Sequence, residues 1–124
     1  KYRNLLAKEL DINAMENASK VFLGTHDFTS FASSKIDPRK PRVKTISNIE
    51  ILEEGTDVHF IFEGTGFLRY QVRMMTGTLI AVGQHRIEVG DVQKMLNAKD
   101  KSACRYNAVS CGLYLVEVKY NETN

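Results

Sequence analysis

With 124 residues, 43% of them hydrophobic and 26% charged, the chain is long and apolar enough to bury one core, which excludes wholesale disorder. No apolar run approaches the roughly 20 residues that span a bilayer, and the opening KYRNLLAKEL lacks the apolar stretch of a signal peptide. The 17 basic and 15 acidic residues leave a net charge of +2, short of the strongly basic balance of a dedicated nucleic-acid domain.

Lys1 opens the chain in place of Met, which reads as a fragment or a processed product. Asp11 is placed to cap a helix running to about Leu23, with Met15, Ala18 and Phe22 at helical spacing and Gly24 as its stop. GTHDFTSF, Gly24 to Phe31, reads as an ordered loop anchored by two Phe residues. Pro38 and Pro41 keep the following stretch extended. The β-branched content from Val43 to Leu52 predicts a strand, Glu54 to Asp57 a turn, and Val58 to Glu63 a second strand of one hairpin. A long helix is expected from Phe67 or Leu68 to Val82, ending at Gly83, and a shorter one from Gly90 to Asn97. Gly112 to Tyr120 is a strand apolar on both faces at its start, as in a central strand. The sum is one α+β domain, an antiparallel or mixed β-sheet with helices packed on one face.

Charge is unevenly placed. KIDPRKPRVK, Lys35 to Lys44, holds five basic residues and one acid, whereas Glu50 to Glu63 holds five acids and no lysine or arginine. The first segment is a candidate phosphate contact through Arg39, Lys40, Arg42 and Lys44; the plainer reading is two solvated loops of opposite sign. Cys104 and Cys111 form no metal spacing and read as reduced thiols of a cytoplasmic protein, with a disulfide between them as the alternative. His59 and His85 stand in no ligand constellation, so no metal site is expected.

The most informative segment is GTGFLRYQVRMMTGTLIAVG, Gly64 to Gly83. At about 100° per residue, Leu68, Val72, Met75, Leu79 and Val82 share a face, and so little of the circumference is polar that the helix should be mostly buried. Arg69 and Arg73 project from it one turn apart, with no Asp or Glu between Glu63 and Glu88 to pair with. A guanidinium cannot discharge, so at least one of the two is expected to meet an anion from elsewhere; the alternative is that both reach water.

GTHDFTSF, then GTGFLRYQVRMMTGTLIAVG, then GLYLVEVKY resemble, in order and spacing, the C-terminal half of the bacterial tRNA pseudouridine synthase A family. The resemblance implies an enzyme that isomerises uridine to pseudouridine at positions 38 to 40 in the anticodon arm of tRNA, without a dissociable cofactor. It implies a homodimer whose protomers have two α+β halves around a cleft. The nucleophilic Asp of that family sits in G-R-T-D-x-G-V-H in the N-terminal half, a motif this sequence lacks. The whole of 1–124 therefore reads as the C-terminal domain, with its partners being the missing half and tRNA, and by itself inactive. Arg73 matches the family arginine that pairs with the catalytic Asp, and Leu113 matches the apolar residue against the target base. His26 and Phe28, in the family's H-D-F-x-x-F loop, are expected to touch tRNA together with Arg69; the alternative for the loop is that His26 and Asp27 only cap and lock it while Phe28 and Phe31 anchor it. The rival reading is a non-catalytic α+β module that binds RNA through exposed aromatics.

Overall fold

The computed structural model describes residues 10–33, 35, 39–55, 57–106 and 114–119. Among them the chain runs α1 (Ile12–Ser19), β1 (Gly24–Asp27), β2 (Val43–Glu54), β3 (Asp57–Gly64), α2 (Gln71–Gly83), α3 (Val89–Ala98) and β4 (Tyr114–Lys119). The strands form one sheet in the order β1-β2-β3-β4, antiparallel except where β3 pairs in parallel with β4. A parallel pair needs a long crossover, and α2 with α3 supplies it. The architecture is the expected α+β fold with a mixed sheet.

Local chemistry explains most element ends. The Asp11 carboxylate accepts from the Ala14 amide at 3.0 Å and starts α1. The helix gives way to a 3-10 turn at Lys20–Phe22, earlier than the expected stop near Leu23. Glu88 and Asp91 form a reciprocal capping box at the head of α3. Gly55, at φ 64, turns the β2–β3 hairpin. A bulge between Ile46 and Asn48 matters for the core. Ile46 and Ile51 differ in parity, and an unbroken strand would send them to opposite faces; the extra residue returns both to the buried face.

That face carries Val58, Phe60 and Phe62 of β3. They join Met15, Phe22, Met75 and Leu79 from the helical layer in a single core.

Three expectations change. Gly24–Asp27 is a strand, β1, where a loop was expected: its register with β2 puts Thr25 opposite Thr45, and their hydroxyls meet at 2.7 Å. The expected central strand is β4, which pairs with β3 alone among the described residues and so ends the sheet. The long helix begins at Gln71 and not at Phe67 or Leu68. The cause is Tyr70, whose φ of 67 is left-handed and cannot continue a helix.

Candidate functional site

The entry to α2 is built by residues 68 to 71. The buried Gln71 side-chain carbonyl accepts from the Leu68 backbone amide at 2.8 Å while the Gln71 backbone amide donates to the Leu68 carbonyl at 3.0 Å. These two bonds close a tight turn and hold Tyr70 in its left-handed conformation, a strain of about 1 kcal/mol or more for a residue with a Cβ. The Arg69 carbonyl accepts from the Ser33 amide at 2.9 Å, which ties the turn to the segment after Phe31.

Arg73 is the one exposed residue of α2; every other position from Gln71 to Gly83 is buried. Its guanidinium carbon lies 5.4 Å from the Tyr70 ring centre, and that of Arg69 lies 5.1 Å away. One aromatic ring thus carries two cations. The Arg69 hydrogen bond, then the charges of Arg69, Arg73 and Lys35, hold the Tyr70 phenol below its ordinary range.

The premise that either arginine is lodged in the core is corrected. Both are exposed, Arg69 because it precedes the helix and Arg73 because it occupies the single open position of α2. Neither carries a burial penalty that demands a partner. What the geometry supplies instead is crowding of like charge, with no carboxylate within salt-bridge reach of either among the described residues.

The other expected residues fall into two groups. Arg39 and Lys40 are exposed just before β2, and Lys44 is half-buried opposite His26 in the β1–β2 register. Arg42 is half-buried and close enough to Asp27 for their charges to interact. Burial pushes the Asp27 carboxyl up, but hydrogen bonds from Thr29 and the charges of Lys99 and Arg42 outweigh it and leave Asp27 below the usual range. His26 meets the Leu23 carbonyl at 2.6 Å. Phe28 is fully buried beside Phe22, so its ring has no surface to offer a nucleic acid, and that expectation is withdrawn. Leu113 and Cys111 lie outside the described residues. Cys104 is a buried free thiol, pushed up in pKa by burial and in contact with Thr78 Oγ1 at 3.3 Å. His85 faces Asp11 at 3.1 Å on the surface.

The sequence reading missed Lys35 and Lys101 as neighbours of Arg69 and Tyr70. All four line one groove beside the α2 entry. Its charged members come from three separate segments, and no spacing along the chain announces them.

The family described as tRNA pseudouridine synthase matches residues 18–121. The chain is 41% identical over 123 residues to the tRNA pseudouridine synthase A of an Exiguobacterium species, covering 99% of this chain and 50% of the relative. It is 42% identical over 112 residues to the tRNA pseudouridine synthase A 1 of Bacillus cereus, covering 90% of this chain and 45% of the relative. To the tRNA pseudouridine synthase A of Caulobacter vibrioides it is 41% identical over 117 residues, covering 94% of this chain and 47% of the relative. The chain thus spans about half the length of the curated relatives it matches.

Proposed function

The chain belongs to the tRNA pseudouridine synthase family, and from that premise we propose that it is the C-terminal half of a synthase that isomerises uridine in the anticodon arm of tRNA. The nucleophilic Asp belongs to the other half, so this half alone forms no pseudouridine. The whole protein is a homodimer, and the target uridine is swung out of the RNA into the cleft between the two halves.

One observation carries this reading: α2 is buried along its length except at Arg73, which stands at the surface beside Tyr70 with its guanidinium unclaimed by any described carboxylate. A buried helix that opens at a single cation is suited to aim that cation at an anion across an interface. With the nucleophilic Asp as that anion, Arg73 keeps the carboxylate ionised and oriented through its planar donor fork. The uracil must leave the ribose, turn and rejoin through carbon. Leu113, one residue before β4, is the apolar wall that confines it without fixing its orientation by hydrogen bonds. The exposed Arg39, Lys40 and Arg69, with the half-buried Lys44, contact the RNA backbone. The rival reading, a module that stacks bases on aromatics of the sheet, lacks support among the described side chains, because Phe60 and Phe62 of β3 are fully buried, as are Phe28 and Phe31 after β1.

The test is Arg73→Lys in the whole protein. Charge is kept and the fork is lost, so pseudouridine formation should fall roughly tenfold to a hundredfold with tRNA affinity nearly unchanged. Unaltered turnover removes the pairing of Arg73 with the nucleophile.

A further inference from the structure

Beside Tyr70 the segment after Phe31, the turn before α2 and the stretch after α3 close around a groove of about 330 Å³. Lys35, Arg69 and Lys101 reach it from those three segments, and among the described residues no acidic one lines it. Its apolar side is Ala32 and Met74, both largely buried, and the Tyr70 ring forms part of its wall. Cations gathered without a counter-charge repel one another, and an anion seated among them relieves that repulsion. An inorganic anion alone would leave the apolar side and the ring unused. A nucleotide uses all of them, because its phosphate meets the cations while its base or ribose lies on Met74 and the Tyr70 face.

We propose that this groove seats one nucleotide of the RNA, its phosphodiester held jointly by Lys35, Arg69 and Lys101 and its ring system resting on Tyr70 and Met74. The proposal rests on the reading above that the substrate is RNA, and it adds Lys35, Tyr70 and Lys101 to the residues that bind it. Three cations on a single phosphate displace about as many counterions as one phosphate holds, which separates a shared site from three scattered contacts.

The experiment measures binding of the 124-residue chain to an RNA hairpin with the sequence of an anticodon arm, across a salt series. The triple variant Lys35→Ala, Arg69→Ala, Lys101→Ala should weaken binding about tenfold and lower the slope of log affinity against log salt by about 1. Tyr70→Ala should weaken binding at least several-fold and leave the slope unchanged, since stacking releases no counterions. An unchanged slope in the triple variant, or no binding by the original chain, overturns the proposal; a fall of about 3 does so as well, because it means separate phosphates on an open surface. Competition by inorganic phosphate at fixed ionic strength would reduce the groove to a free-anion site. Loss of polyglutamate binding in the triple variant with RNA binding intact would make it a protein contact. Either result overturns the nucleotide assignment. Pseudouridine formation by the whole protein carrying Arg73→Lys reads the enzymatic proposal separately, so either can fail with the other intact.

Discussion

Tyr70 is where three side chains set one another's chemistry. Its ring is approached by two guanidiniums, and its hydroxyl is held by Arg69. Positive charge favours the phenolate, so the phenol gives up its proton at a lower pH than an ordinary tyrosine. Arg69→Ala removes the largest cause, and Tyr70 should then titrate at higher pH, nearer to the ordinary value. A tyrosinate absorbance titration, with Tyr70→Phe to identify the signal among the five tyrosines, checks this. An unmoved titration means that Arg69 does not reach the hydroxyl. Arg73 shows a different lesson. Its candidacy was legible from the motif, but the physical reason offered for it, a buried unpaired charge, is not the one the fold provides. A residue's burial depends on which face the neighbouring elements cover, and the pattern of a nearly all-apolar helix leaves that face undetermined.

At the scale of elements, the ends that rest on local chemistry were legible and those that rest on pairing were not. Asp11 capping α1, the hairpin turn at Glu54–Asp57 and the helix after Glu88 each follow from the side chains present. β1 does not: GTHD has no alternation to read, and it is a strand because the edge of β2 offers it partners. The start of α2 was hidden because Leu68 is buried in a turn and so extends the apolar period past the true end. Gly64 marks a second tertiary constraint. A Cβ there would stand 2.6 Å from the Thr45 carbonyl oxygen, a backbone atom that cannot yield without moving β2 at its bulge. Gly64→Ala should therefore cost about 1–3 kcal/mol. Gly90, in α3 with open space around its would-be Cβ, should gain about 0.5–1 kcal/mol as Ala. Urea unfolding reads both as shifts of midpoint in opposite directions at constant slope. Equal effects at the two sites would show that helix and strand propensity, and not the close approach, governs Gly64.

For the whole molecule, a net charge of +2 conceals a separation of charge along the sheet. β2 enters at Val43, beside Arg39, Lys40, Arg42 and Lys44, and leaves at the hairpin, where Glu53, Glu54 and Asp57 lie together in the register. A twelve-residue strand spans roughly 35–40 Å, several times the screening length of about 8 Å at physiological salt. On the proposed reading, in which RNA binds at the basic end, the acidic end neither repels it nor releases counterions with it. Glu53→Gln with Glu54→Gln should leave RNA affinity within about twofold and its salt slope unchanged. Neutralising Arg39, Lys40, Arg42 and Lys44 should lower the slope by about 2–3 and not the full 4, because Arg42 is half-buried near Asp27 and contributes least. The comparison is made on one RNA hairpin over one salt series. A slope that the glutamates change as much as the basic residues do would mean that RNA lies along the sheet, and the basic end would lose its standing as the place of contact.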